Sequence, residues 1–152
     1  MYPVRLIAIG RPRLAPVREL EQHYLDLLKA FVRLAVVELP EGRGDAARQL
    51  REEAERMRPQ LLAARCPVLL CADGPVRSSE AFAQWLGARM DRGESLAFAV
   101  GSSHGFDPAL KVEVREHLSL GPMTFPHDLS RVLFLEQLYR ACSILKGTPY
   151  HK

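Results

Sequence analysis

The sequence has no hydrophobic run of the length that a membrane crossing or a secretion signal requires. Its longest later apolar run covers residues 66–72, far fewer than the roughly 20 residues of a transmembrane helix. The N-terminal run, Leu6–Ile9, is closed by Gly10 and is too short for the core of a signal peptide. These absences predict a cytoplasmic protein that does not bind a membrane.

Cysteine is also scarce. The three cysteines, Cys66, Cys71 and Cys142, form an odd set without the close spacing of metal ligands. Such a set argues against a zinc site and against a disulfide framework. We therefore expect a reducing compartment and no metal ion.

Lysine is rare among the cations, because 17 of the 21 are arginine, and the net charge is only +3. Arginine suits bidentate phosphate contacts and stacking on bases. A genomic base composition that favours arginine explains the same excess equally well. Charge alone therefore does not identify a partner.

The glycines form neither the phosphate-binding loop with its lysine nor the dinucleotide fingerprint. No serine or cysteine nucleophile motif supports a hydrolytic triad. The turn Gly101-Ser-Ser-His-Gly105 could bring backbone amides close to a ligand, but it is equally typical of an ordinary strand-to-helix turn.

Short apolar runs alternate with amphipathic segments along the whole chain. Strands are predicted at 4–9, 34–39, 67–72, 96–100 and 123–125, and helices are predicted to begin near Pro16, Asp45, Ser78 or Ser79, Asp107 and Asp128. The fourth helix is expected to bury Leu110, Val114 and Leu118. Each crossover is long enough to join parallel strands. The pattern predicts one α/β domain over residues 1–152, a three-layer fold with a mostly parallel sheet.

Ligands of such sheets bind beyond the carboxyl ends of the strands. Three loops meet that condition: the loop after Leu70, the Gly101–Gly105 turn, and the segment from Leu120 to His127. His104, His127 and His151 are expected near strand or chain ends. Imidazole suits proton transfer near neutral pH, although each could equally be a surface histidine.

The last helix is predicted from about Asp128, as its N-cap, to Lys146, ended by Gly147 and Pro149. At 100° per residue its core face comprises Phe134, Leu135, Leu138, Ala141, Cys142 and Leu145, and its opposite face comprises Glu136, Arg140 and Ser143. Glu136 and Arg140 have the spacing of a helix ion pair. Arg131 falls among apolar positions, where a charge needs a partner or a ligand.

Four motifs in the last third can be read together: Met123-Thr-Phe-Pro-His127, Arg131-Val132, Leu135–Ala141 and Pro149-Tyr-His-Lys152. With the opening Val4–Gly10, they closely resemble the ribosomal RNA large subunit methyltransferase H family of SPOUT enzymes. The resemblance implies a C-terminal trefoil knot, a homodimer, S-adenosylmethionine as methyl donor, and methylation of N3 of a pseudouridine in 23S ribosomal RNA.

The resemblance also implies site residues. It places cofactor binding at Leu70, Gly101, Ser102, Gly105, Leu120, Gly121, Pro122, Met123, Thr124 and Phe125. From the chemistry of their side chains, we expect catalysis and base binding among His127, Arg131, Glu136, Arg140, Tyr150 and His151. The family commonly has paired glycines after the fourth strand, whereas Ser102 follows Gly101 here, and His104 stands where an acidic or small polar residue is frequent.

Two alternatives stay open at this point. One is a non-catalytic, ribosome-associated α/β protein, and the other is a knotted methyltransferase that acts on transfer RNA. In the catalytic case His127 or His151 could accept the proton, or Arg140 could stabilise the anion that forms on the base.

Overall fold

Five strands and five helices alternate along the chain in a computed structural model that covers residues 1–152. They are β1 (Tyr2–Ile9), α1 (Ala15–Leu28), β2 (Val32–Leu39), α2 (Ala46–Leu62), β3 (Cys66–Leu70), α3 (Ser79–Asp91), β4 (Leu96–Val100), α4 (Pro108–Glu113), β5 (Glu116–Leu118) and α5 (His127–Lys146). All strand pairs are parallel, in the order β2-β1-β4-β3-β5.

Helices cover both faces of the sheet. Leu6 and Phe98 pack on one face against Phe134 of α5, together with residues of α1 and α3. Leu69 packs on the other face against Met57 of α2, beside residues of α4. Because β4 lies between β1 and β3, all five of its residues are buried, which explains its unbroken apolar sequence. The predicted three-layer α/β class is confirmed.

Two predicted helix starts are confirmed by capping hydrogen bonds. The Asp45 carboxylate accepts from the Arg48 backbone N–H at 2.9 Å at the start of α2. The Ser78 hydroxyl accepts from the Ala81 backbone N–H at 3.1 Å at the start of α3. Both caps satisfy amides that have no partner within the helix.

The predicted last strand is wrong. Residues 123–125 are irregular, and β5 is Glu116–Leu118, which pairs with β3 so that Leu69 faces His117. The fourth helix accordingly ends at Glu113, and Leu118 is buried in the sheet instead of on that helix. The helical spacing of Leu110, Val114 and Leu118 is overridden by strand pairing, a tertiary contact that local periodicity does not contain.

The start of α5 also differs from the prediction. Pro126 occupies the N-cap position, and the Asp128 carboxylate accepts instead from the Arg13 backbone N–H at 3.2 Å. Gly147 ends the helix as predicted, with φ +68°. This left-handed conformation is one that glycine adopts without strain.

The buried face of α5 is confirmed at five of its six predicted positions. Leu145 is 43 % exposed, and Ser143, expected on the opposite face, is fully buried. Because α5 packs against both α1 and α3 as well as the sheet, its buried arc is wider than one stripe and includes Ser143. Leu145 lies in the last turn of the helix, one residue before its end at Lys146. None of the helices combines the length and hydrophobicity that a membrane crossing requires.

Candidate functional site

A pocket of about 540 Å³ lies at the carboxyl ends of β3 and β4, the sheet edge predicted for a ligand. Its volume is typical of small-molecule sites. Of the residues expected to bind a cofactor, Leu70, Gly101, Ser102, Gly105, Leu120, Gly121, Met123, Thr124 and Phe125 line it, whereas Pro122 does not. His127 of α5 completes the wall, but His104 is exposed and does not line the pocket.

One wall is the turn that follows β4. The Gly105 N–H donates to the Ser102 carbonyl at 2.9 Å, and Gly105 has φ +80°. A Cβ atom at Gly101 would lie 2.5 Å from the Gly105 carbonyl oxygen. Gly101 is therefore needed for the turn to close on itself, and the pocket wall here is largely main chain.

The facing wall comes from residues 120–125, which Leu118 and Ser119 hold against the loop after β3. The Cys71 N–H donates to the Leu118 carbonyl at 2.9 Å, and the Ser119 N–H donates to the Pro75 carbonyl at 3.0 Å. The Ser119 hydroxyl accepts from the Gly121 N–H at 3.0 Å, and the Ala72 carbonyl lies 3.0 Å from the same oxygen. Ser119 was not predicted as a site residue, and the only sequence signal for it is its place beside Leu120.

Cys71 also lines the pocket and was not predicted there. It is the residue directly after β3, so the rule on strand ends could have found it. Burial raises the pKa of the Cys71 thiol to about 11, against a smaller opposing effect of Lys111. The thiol is therefore protonated at neutral pH and is not a nucleophile.

We expect Cys71 to resist alkylation near neutral pH. Only the thiolate reacts, so labelling by iodoacetamide should accelerate roughly tenfold per pH unit as pH rises towards the pKa of about 11. Peptide mass spectrometry over pH 7–10 measures the rate, with denatured protein as the reactive reference. Fast labelling of the native protein at pH 7 would contradict this prediction.

A second cluster joins the end of α5 to the C-terminal residues. Arg140 makes hydrogen bonds of 3.0 Å and 2.6 Å with Glu136 and lies 3.2 Å from Nδ1 of His151. The Tyr150 hydroxyl donates to Glu136 at 3.1 Å, and the Arg140 guanidinium lies 4.8 Å from the centre of the Tyr150 ring. His151 also contacts Glu80 at 2.8 Å. Four of the six expected catalytic residues are therefore adjacent.

Two pKa shifts determine the protonation states in this cluster. The Glu136 carboxylate raises the pKa of Arg140, so the guanidinium stays charged. Burial, reinforced by neighbouring Tyr24 and Glu136, raises the pKa of Tyr150 well above its ordinary value. Tyr150 can thus donate a hydrogen bond at neutral pH but cannot accept a proton as a phenolate base.

The pocket and the cluster lie far apart within one chain. Both contact α5, but Arg140 follows the pocket residue Ser130 by ten positions, which is about 15 Å along the helix axis. His127 belongs to the pocket, and His151 belongs to the cluster. A single chain therefore does not bring the two predicted histidines to one ligand.

Arg131 belongs to neither group. It is only 4 % exposed, and its guanidinium contacts Glu21 at 2.6 Å, Glu38 at 3.1 Å and the Gly10 carbonyl at 3.3 Å. Burial raises the pKa of Glu21, and Arg131 opposes that shift. The buried charge of Arg131 is therefore paired with two carboxylates. We propose that Arg131 has a structural role in place of the catalytic role expected from the sequence.

Comparisons with known proteins agree with one another. A family model described as "predicted SPOUT methyltransferase" matches residues 2–151. The chain is 43 % identical to a protein of Rhizobium meliloti strain 1021 and 42 % identical to one of Brucella anthropi, in each case over 98 % of both chains. It is 38 % identical to a protein of Gemmatimonas aurantiaca over 98 % of this chain and 99 % of that one. All three are named "Ribosomal RNA large subunit methyltransferase H".

Proposed function

The chain belongs to the SPOUT methyltransferase family, and from that membership we propose that it transfers a methyl group from S-adenosylmethionine to N3 of a pseudouridine in 23S ribosomal RNA. The α/β fold of this family carries a C-terminal trefoil knot. The observation that carries the proposal is the pocket of about 540 Å³ at the ends of β3 and β4. A ribosomal RNA substrate implies a cytoplasmic enzyme.

The pocket suits a nucleoside that carries a sulfonium group. Its walls are apolar side chains and main chain from Gly101–Gly105 and Leu120–Phe125, and no group of three or more metal-binding side chains occurs in the structure. Main-chain donors and acceptors can hold adenine edge-on, and apolar side chains can contact its faces. S-adenosylmethionine supplies an electrophilic methyl carbon, so the protein must align the nucleophile and remove its proton.

Arg140 and His127 are the residues that we propose for the reacting base. The permanently charged Arg140 can stabilise negative charge that develops on the pyrimidine when N3 loses its proton. His127 lies at the pocket and can accept that proton. Tyr150 can stack on or hydrogen-bond to the RNA, but its raised pKa argues against a role as the base.

A homodimer would bring the two halves of this site together. Within one chain Arg140 lies about 15 Å along α5 beyond the pocket, whereas in a dimer the cluster of one copy could face the pocket of the other. Leu129 and Leu133, one turn apart on α5, are 42 % and 38 % exposed. Both leucines would be available to pack in such a dimer.

Mixed dimers test the shared site. One chain would carry a substitution that closes the cofactor pocket, and the other would carry Arg140→Ala. If each site combines two chains, the mixed dimer keeps one intact site and should recover up to about half of the activity of the wild-type dimer, although each parent homodimer is inactive. Absence of recovery, with dimer formation verified by tandem affinity tags, would show that each chain acts alone.

Methylation of defined RNA tests the function itself. The protein is incubated with labelled S-adenosylmethionine and 23S RNA, large subunits, assembled ribosomes or transfer RNA, and mass spectrometry locates the product. We expect N3-methylpseudouridine in 23S RNA. Calorimetry with S-adenosylmethionine distinguishes the enzyme from a non-catalytic, ribosome-associated protein. Such a protein would not bind the cofactor and would give no heat of binding.

Gly101→Ala should weaken S-adenosylmethionine binding by roughly tenfold or more. The added Cβ would lie 2.5 Å from the Gly105 carbonyl oxygen, so the pocket wall must move. Gly93→Ala is the matched control, since Gly93 has φ +66° but no atom within 4 Å of an added Cβ. It strains the backbone away from the pocket and should leave the affinity unchanged. Equal affinities in a titration of both variants would contradict the assignment of this wall.

A further inference from the structure

Glu53 of α2 is fully buried, and the mechanism proposed above does not use it. Acidic side chains are almost never buried to this extent unless other groups satisfy them. The partners of its carboxylate therefore indicate what the residue does.

The two carboxylate oxygens accept hydrogen bonds from two different loops. Oε1 accepts from the Ser102 hydroxyl at 2.7 Å, and Oε2 accepts from the Gly42 backbone N–H at 3.1 Å. Gly42 lies in the loop after β2, and Ser102 lies in the turn after β4 that lines the pocket. Glu53 thus connects the pocket wall to the helix layer beneath it.

We propose that Glu53 is a positioning residue that fixes the Gly101–Gly105 turn through Ser102 and thereby sets the affinity for S-adenosylmethionine. The inference rests on the proposed function. Ser102 is 8 % exposed, and its carbonyl accepts the Gly105 N–H that closes the turn. The side chain of Ser102 therefore bonds to Glu53, while its main chain forms the turn. A turn that is ordered before binding loses less entropy when the ligand arrives.

Ser102→Ala removes the link and Glu53→Gln weakens it, both with little change of shape. Ser102→Ala deletes the hydroxyl. In Glu53→Gln the amide oxygen must accept from the Gly42 N–H, because that group can only donate. The amide NH₂ then faces Ser102, and the Ser102 hydroxyl must turn to accept from it. Both variants keep the volume of the buried site nearly constant.

We expect Ser102→Ala to raise both the Kd and the KM for S-adenosylmethionine by roughly 5- to 10-fold, the size of one buried hydrogen bond, with kcat within about twofold. Glu53→Gln should raise both constants less, because its amide keeps a neutral hydrogen bond to Ser102. The double variant should bind no more weakly than Ser102→Ala alone, because both substitutions act on the same contact. Titration calorimetry gives Kd, and steady-state methylation gives KM and kcat.

Glu52→Gln is the matched control. Glu52 is the neighbouring carboxylate on α2 and accepts from the Arg43 N–H in the loop after β2 at 2.9 Å, but it does not contact the Gly101–Gly105 turn. We expect its Kd to equal that of the wild type, even if Tm falls. Ser102→Ala keeps the test decisive should Glu53→Gln fold poorly.

Wild-type affinity in Ser102→Ala and Glu53→Gln, with only a lower Tm, would overturn the positioning role and leave the proposed function intact. Additive losses in the double variant would also overturn it, since the two residues would then act separately. If the wild-type protein itself gave no binding to S-adenosylmethionine, the proposed function would fail and this inference with it.

Discussion

Arg140→Ala is expected to lower kcat/KM for methylation of 23S RNA by roughly 10²- to 10³-fold, with the affinity for S-adenosylmethionine changed by no more than about twofold. The loss follows from removing a permanent positive charge that faces the developing anion on the base. The cofactor affinity should persist because the pocket walls come from other elements, chiefly the turn after β4 and residues 120–125. Single-turnover methylation and calorimetry measure the two effects separately.

Two further variants sharpen this test. Arg140→Lys keeps the charge but not the planar group that contacts Glu136 and His151 together, so we expect partial activity. Arg51→Ala, which removes an exposed arginine of α2, should behave as the wild type. If Arg140→Ala kept full activity, or if it lost cofactor binding and methyl transfer equally, the proposed role of Arg140 would be wrong.

Arg131→Met should lower the free energy of unfolding by about 3–5 kcal/mol at pH 7, the usual cost of removing one partner from a buried ion pair. The substitution leaves Glu21, only 6 % exposed, without its cation at 2.6 Å. Urea unfolding followed by circular dichroism measures the loss.

The pH dependence of that variant has a definite sign. Without Arg131, burial acts unopposed, so the folded-state pKa of Glu21 lies further above its value in the unfolded chain. The folded state then binds a proton more readily than the unfolded state, and the deficit relative to wild type should shrink as pH falls through that raised pKa. A deficit that grows on acidification would contradict this account.

The double variant Glu21→Leu with Arg131→Met provides the control. It replaces both buried charges with apolar groups of similar size and should regain most of the stability lost in Arg131→Met. If such a protein also methylates RNA, Arg131 is structural. If it is stable but inactive, the catalytic role first expected of Arg131 is correct.

The C-terminal cluster shows how far helical spacing can predict a site. The i,i+4 spacing of Glu136 and Arg140 predicted their contact. The spacing could not identify the other residues of the cluster. Tyr150 and His151 lie beyond the end of the helix and fold back onto it, and Glu80 belongs to α3. The separation of this cluster from the pocket likewise appears only in three dimensions.

Local sequence determined the elements that depend on local interactions. The unbroken apolar run Leu96–Val100 predicted a strand, Asp45 and the pair Ser78-Ser79 predicted helix starts, and Gly147 predicted a helix end. These features follow from side-chain burial, backbone donors and φ preferences within a few residues. The order of β and α segments, and with it the sheet edge that carries the pocket, was therefore predictable.

Contacts between distant residues were decided by tertiary structure alone. Because β5 pairs with β3, the last strand is Glu116–Leu118 and not the predicted residues 123–125. Glu21 meets Arg131 across 110 positions, and Glu53 meets Ser102 across 49. A sequence displays each residue's chemistry but not which buried donor will satisfy which buried acceptor, because that choice is made only when the layers pack and exclude water.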